Sequence, residues 1–370
     1  MTTLATPEGT ARYRDRFVHR MDPGHFRERE GLVWSSLGIG SYLGDPDDVA
    51  DGGYRKSLRA AVQGGINVVD TAINYRDQRS ERVFGAALAE LIGNGLVQRD
   101  EIILCTKGGY IPGDPTGALP YPEHMKKNWF DTGLLSPEDV VDHCHALAPA
   151  FLEDQLRRSL ENLGVDAVDV YYVHNPEHQF VDVSREVFMG RMRGAFEVLE
   201  RARAAGRIRV YGLATWGGLR APAGALEHLP LEALVALARE VGGDDHGLKI
   251  VQLPFNLAML EAWTLKNQAV AGELVPLAEA AARLGITVVA SASLLQADLL
   301  RRITTRTLTR FSGVVSPSHL CLRFNRAVPG ITTSLVGMSD PDHVSDNLAA
   351  AAERPLDADG VRRIFGRKSQ

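Results

Sequence analysis

Residues 65–95 read "GINVVDTAINYRDQRSERVFGAALAELIGNG". The run Ile66–Val69 is short and largely apolar, as expected for a strand covered on both faces, and Asp70 follows it at once. From Ser80-Glu81 onward, apolar residues recur at helical spacing, and the stretch closes on a glycine suited to a helix C-terminus. One strand followed by one helix is therefore the local unit. The same unit recurs along the chain. Strand-like runs fall at 36–40, 67–70, 102–106, 168–173, 209–214, 249–253, 287–291 and 333–336, with helical stretches at 54–65, 80–95, 151–164, 192–206, 231–242, 273–285, 316–327 and 341–353. Eight pairs in strict alternation predict a (β/α)8 barrel, that is, a TIM barrel of class α/β. The rival, an open doubly wound sheet, would carry GxGxxG after its first strand, and "GIGSYLGD" (38–45) does not have that spacing.

The bulk numbers agree with one barrel domain over 1–370. The chain is 45% hydrophobic and 24% charged, the composition of a soluble globular protein. A net charge of −5 favours neither nucleic acid nor an acidic membrane surface as partner. No apolar run has the length of a membrane span, and "MTTLATPEGT" lacks a signal-peptide core, so a cytoplasmic protein is expected. Three widely spaced cysteines, Cys105, Cys144 and Cys321, do not make a disulfide framework. Residues 1–33 stand outside the alternation as an N-terminal extension. Within them, alternating segments around Pro23-Gly24 suggest a β-hairpin that plugs the barrel floor, with a disordered tail as the alternative.

Two connections are long, 108–147 and 174–184, and both leave the C-terminal ends of strands, where barrel enzymes keep their chemistry. The first carries Tyr110, Tyr121, Trp129 and Phe130, a set suited to a lid or pocket wall, or equally to surface packing. Mapping polar residues onto strand ends gives Asp70, Tyr75, Lys107 and His174. Singly, each has a bland reading as a turn residue, a packed ring or a solvated cation. Together they make chemical sense. A phenol of pKa about 10 becomes a better proton relay beside an ammonium, which a buried carboxylate keeps charged and aimed. An imidazole can orient a carbonyl or hydroxyl.

These motifs resemble the aldo-keto reductases, of the bacterial type with a short C-terminus. The resemblance rests on "GINVVDTAINY", "ILCTK" ending at Lys107, "DAVDVYYVHNPE" with His174, and "GMSDPDHVSDNL", and covers about 33–350. It implies a catalytic set of Tyr75 as general acid/base, Lys107 as its pKa modulator, Asp70 as the partner of Lys107, and His174 as the substrate-orienting group. It further implies a nicotinamide cofactor, NAD or NADP, with contacts at Thr215, Gln252, Ser291, Leu294, Gly337, Met338, Ser339, His343, Asp346 and Asn347. Ala214-Thr215 replaces the family's Ser-Asn pair, and Ser291 stands where an aromatic usually stacks. Gly337 and His343 stand where NADP-preferring members carry a Lys and an Arg, which tilts the expectation toward NAD. Trp129, His145 and Trp216 are the expected substrate-pocket residues. The implied activity is hydride transfer between an aldehyde, ketone or sugar lactol/lactone and its alcohol. The alternative is a barrel of the same family that binds cofactor but serves as a regulatory or scaffold subunit. His143-Cys144-His145 has the His-x-His form of metal hydrolases, yet sits at the end of an insertion without the companion ligands, so no metal is expected.

Overall fold

The computed structural model describes residues 4–364; residues 1–3 and 365–370, the ends of the expected 1–370 unit, lie outside the described residues. Eight parallel strands close into a barrel: Leu37–Gly40, Val68–Asp70, Ile103–Gly108, Val168–His174, Ile208–Ala214, Leu248–Pro254, Thr287–Ser291 and Ile331–Gly337. Every strand pairs with its sequence neighbour, and the eighth pairs with the first through Gly337 and Gly40. No described helix is long and apolar enough to cross a membrane.

The two-residue period of a strand sorts the core. Val68, Ile103, Cys105, Val170, Tyr172, Val210, Ile250, Val289 and Leu335 form the cluster inside the barrel. Their neighbours Val69, Leu104, Tyr171, Leu213, Val251, Val288 and Val336 belong to the outer cluster, packed under the helices. Inside, there is little room at the first strand: a Cβ on Gly38 would lie 2.7 Å from Leu335 Cδ2. Counting on by two from the inner residues reaches Asp70, Lys107, His174, Ala214 and Gln252 at the strands' C-terminal ends. The inward face is therefore apolar along its length and turns polar in its last layer, at the mouth.

The N-terminal region differs from expectation in detail. A hairpin does cover the floor, pairing Phe26–Arg29 with Leu32–Ser35, and Leu32 and Trp34 join the inner cluster. Its turn is Glu30-Gly31, both left-handed as a two-residue hairpin loop requires, and not Pro23-Gly24. Before it, Pro7–Phe17 is a helix capped by Thr6, with Tyr13 and Phe17 buried one turn apart. The Tyr13 hydroxyl donates to the carbonyls of Val62 and Ile66, at 2.6 and 2.9 Å. Thr6 as N-cap with Pro7 at the first helical position suits a helix start, which the sequence reading of this region did not place. Residues 273–276, read as the start of a helix, instead pair with Lys266–Val270 around Ala271-Gly272, and the helix begins at Leu277. Beyond the last expected helix, Ala358–Ile364 forms another.

Candidate active site

The segment after the second strand keeps to the third strand past the sheet. Thr71 N–H donates to the Cys105 carbonyl at 3.0 Å and Ile73 N–H to the Lys107 carbonyl at 3.3 Å. The chain then turns through three left-handed residues, Arg76, Asp77 and Gln78. Arg76 is buried against the Tyr54 ring and bonds the Asp45 carbonyl at 2.9 Å, the Asp47 carbonyl at 3.1 Å and the Asp51 carboxylate. Gln78 donates to the Gly113 carbonyl at 2.8 Å. Such a turn is expensive for non-glycine residues, and these bonds hold it. Its product is the position of Tyr75.

Lys107 is fully buried. Its ammonium bonds Asp70 Oδ1 and, at 2.8 Å, the Thr71 carbonyl, and lies 4.9 Å from the centre of the Tyr75 ring. The other Asp70 oxygen accepts Gln252 Nε2 at 2.8 Å. Burial alone would lower the Lys107 pKa; Asp70 and the Tyr75 oxygen overcome it, so the amine is held charged. Burial raises the Tyr75 phenol, and Lys107 pulls only part of that back. The net effect is opposite to the depression expected from the ammonium alone: Tyr75 is kept protonated. The His174 ring centre is 5.7 Å from that of Tyr75. Burial, with Lys107 nearby, lowers His174 well below the ordinary imidazole range, and its Nδ1 is buried without a partner among the described residues. The four predicted residues thus meet in one layer.

The expected cofactor residues divide. Thr215 is buried just past the fifth strand; its amide donates to the Gln252 carbonyl at 2.8 Å, while its hydroxyl has no partner among the described residues. Ser291 ends the seventh strand, with partly buried Leu294 in the turn beyond. Gly337 ends the eighth strand next to buried Met338 and exposed Ser339. His343 is exposed and Asn347 buried on the helix Pro341–Ala352, which Asp340 caps by accepting from Asp342 N–H at 2.9 Å. Asp346 is already engaged: Ser318 Oγ donates to one oxygen, and His319 Nε2 lies 3.2 Å from the other.

Against known proteins, a family model described as the aldo/keto reductase family matches residues 36–366. The chain belongs to this family. Over 161 residues it is 30% identical to a D-threo-aldose 1-dehydrogenase of a Pseudomonas species, a match covering 42% of each chain. Over 153 residues it is 31% identical to an aldo-keto reductase of Alternaria alternata, covering 40% of this chain and 39% of the other. These matches span less than half the length of either relative. Among solved structures, a holo-form aldo-keto reductase of Bacillus halodurans superposes with a TM-score of 0.63 at 19% identity, covering 92% of this chain and 95% of the other. A Klebsiella pneumoniae aldo/keto reductase in complex with NADP and acetate gives 0.60 at 18%, covering 91% and 92%. At those identities the likeness establishes the fold.

In this aldo/keto reductase two of the three expected pocket residues do not line the mouth. Trp129 is fully buried in a separate apolar cluster with Ile111, Leu135, Ala146 and Phe151. Its indole N–H donates to Asp154 at 3.0 Å, and the Arg158 guanidinium sits 5.1 Å over its ring. The insertion has a core of its own, and Trp129 is its centre. Trp129→Ala is expected to cost about 3–5 kcal/mol of stability, as for other buried Trp truncations. Urea unfolding measures this, and an unchanged midpoint would contradict the packing role.

His145 is also fully buried. Its Nε2 donates to the His174 carbonyl at 2.7 Å and its Nδ1 accepts from Gln179 Nε2 at 2.7 Å, with burial lowering the ring to about 3. A neutral His145 therefore braces the backbone of His174. Trp216 is 48% exposed, at the fifth-strand end.

Two residues near the site, Glu177 and Tyr42, were not singled out from the sequence, and Tyr110 was named only as one of four aromatics of the insertion. Glu177 Oε1 accepts the amides of Trp216, Gly217 and Gly218 at 2.7–3.0 Å, tying two strand-end loops together. Tyr42 packs its ring 5.1 Å from Tyr75. Tyr110 packs its ring 5.1 Å from His174, and its hydroxyl accepts from Asn175 Nδ2 at 3.2 Å. Glu177 was visible in the "HNPE" motif, but only a structure could show three amides converging on it. Tyr42 and Tyr110 carried no periodic signal.

Proposed function

We propose that this chain is a nicotinamide-dependent oxidoreductase that interconverts an aldehyde, ketone or sugar lactol/lactone with its alcohol. One observation carries the reading: a buried, charged Lys107 is held between Asp70 and the face of a protonated Tyr75, beside a neutral His174. A solvent-exposed pair would have no such use for a buried ammonium.

The donor set at the fifth and sixth strand ends suits a carboxamide. The Thr215 hydroxyl is buried with no partner among the described residues, and Gln252 is fixed beside it through its Nε2 to Asp70. Thr215 and Gln252 would hold the nicotinamide, which when bound supplies or accepts the hydride. Tyr75 gives its proton to the substrate oxygen as that oxygen gains charge, leaving a phenolate beside Lys107. The ammonium then stabilises the phenolate, and Asp70 keeps it from swinging away. His174, neutral, can hydrogen-bond the same oxygen and set the carbonyl's orientation. In the oxidative direction each proton step reverses. The test is absorbance at the reduced-nicotinamide band with a panel of aldehydes, ketones and aldoses. Cofactor binding without turnover on any of them would favour the scaffold reading.

The cofactor's preferred form follows from charge. Between Gly337 and His343 there is no fixed cation, and Asp340 and Asp342 add two exposed carboxylates. A 2′-phosphate there would lack the charge-assisted bonds that contribute roughly 1.5–3 kcal/mol each. The helix Pro341–Ala352 can still offer amides to a ribose or pyrophosphate oxygen. NADH is therefore expected to bind at least as tightly as NADPH. Fluorescence titration of both decides it, and NADPH binding ten-fold tighter would overturn the argument.

A further inference from the structure

The insertion carries donor atoms that the proton relay does not use. Within it, Val140–Val141 pairs with His145–Ala146, and the reversal between them runs through left-handed Asp142 and His143. The Asp142 amide is held by Asp182 Oδ2 at 2.9 Å, and the Cys144 amide by the Val141 carbonyl at 3.1 Å. This turn places Asp142 and Cys144 against His178, which comes from the other long connection, after the fourth strand. Asp142 Oδ2 is 3.0 Å from His178 Nε2, and Cys144 Sγ is 3.9 Å from the same nitrogen. All three donor atoms lie within 4.8 Å of one another.

Zinc bonds to sulfur at about 2.3 Å and to nitrogen or oxygen at about 2.0–2.2 Å, so tetrahedral ligand atoms stand roughly 3.3–3.7 Å apart. The separations of 3.0 and 3.9 Å lie to either side of that range, and sub-ångström shifts of surface side chains would bring them in. A plain His178–Asp142 ion pair would explain the 3.0 Å contact. It would not explain a thiol in the same shell, contributed by the residue two positions on. A thiolate, a carboxylate and a neutral imidazole bring two negative charges to a divalent ion, and the thiolate selects a zinc-class ion over magnesium or calcium. The His143/His145 pair has no part in this, since both nitrogens of His145 are spent elsewhere.

We propose that Asp142, Cys144 and His178 bind a zinc-class divalent cation that staples the insertion to the turn after the fourth strand. The ion takes His178 Nε2 and leaves Nδ1–H facing the Tyr110 hydroxyl, 3.4 Å away, the usual arrangement behind a ligating histidine. Tyr110 in turn packs against His174. The site thus holds one wall of the mouth without touching the reacting atoms.

Cobalt(II) is the probe. Full-length protein, stripped with chelator, is expected to take up one equivalent and to show the thiolate-to-cobalt charge-transfer absorption, which zinc abolishes by displacement. Cys144→Ser removes that absorption. His178→Gln weakens binding by at least about 100-fold, since even partners of a ligand cost 10–100-fold. His143→Gln, at the turn but outside the donor set, leaves binding unchanged. Thermal melts of the stripped variants that match the stripped parent show that lost binding is not lost folding. The proposal fails if the parent shows no thiolate absorption below the cobalt concentration that precipitates it, or if the absorption survives Cys144→Ser.

Discussion

Tyr75→Phe is expected to lower turnover by about 10²–10⁴-fold, the usual worth of a positioned general acid, and to leave reduced-cofactor affinity essentially unchanged. The hydroxyl acts on a proton that moves only in the transition state, so it adds little to ground-state binding. The ring contacts with Tyr42 and His174 are ones phenylalanine keeps, so the variant should fold as the parent does. The pH profile offers a second check. Burial raises the Tyr75 pKa above its ordinary value of 10. Carbonyl reduction needs the protonated phenol, so its rate should stay level through neutrality and fall only on the alkaline side as the phenol ionises. His174, lowered well below 6.5, should add no break through its ordinary range. A Phe variant that turns over a good substrate at near the parent rate would remove Tyr75 from the mechanism.

The barrel was legible because its signal is repeated. Each of the eight strands buries both faces, and each helix shows one apolar stripe, so errors of a residue or two at the ends do not change the topology. The misread places are those where a local rule competed with a stronger one nearby. Pro23-Gly24 has turn composition, but the hairpin turns at Glu30-Gly31, because only that register sends Leu32 and Trp34 into the barrel floor. "ELVPLAEAAARLG" has a helical look throughout, yet its first four residues are a hairpin strand, since Lys266–Val270 offers them a partner.

At the mouth, Asp70, Lys107 and His174 could be found from the strand ends, because the inward period of two carries them there. Tyr75 lies five residues further on, in the loop after the second strand, where the period of two no longer applies and only nearness to the strand end pointed to it. Trp129 and His145 were misassigned for one reason: an insertion of forty residues is long enough to bury its own core, and sequence does not say which aromatic faces inward. Their hydrogen bonds to Asp154, Gln179 and the His174 carbonyl mark them as structural supports. Lys107 does lower the Tyr75 pKa, as a modulator should, but it does not set the net direction. The sign depends on how deeply the phenol sits, and burial outweighs one ammonium.

Lys107→Met is expected to lose activity and stability together. Methionine fills a similar volume, but Asp70 is then left in the barrel with Gln252 as its remaining side-chain donor. Breaking a buried pair by removing one partner costs about 3–5 kcal/mol, because the other charge stays buried without compensation. The sign of the pH dependence follows from Asp70. Burial already pushes its pKa up, and Lys107 is the main opposing influence. Without Lys107 the folded-state pKa rises further above the unfolded value of about 3.9. A carboxyl shifted in that direction carries its penalty above the folded pKa and sheds it as pH falls toward the unfolded one. The stability gap between parent and variant, read from urea unfolding, should therefore be widest near neutrality and narrow in acid. Lys107→Met combined with Asp70→Asn removes both charges and should recover much of the lost stability, because Asn can still accept from Gln252. It should not recover turnover, since the phenolate left after proton transfer would have no cation beside it. That split separates holding the fold from serving Tyr75. A single Lys107→Met variant as stable as the parent at neutral pH would mean that Asp70 does not depend on the ammonium. One with parent-like turnover would mean that Tyr75 does not.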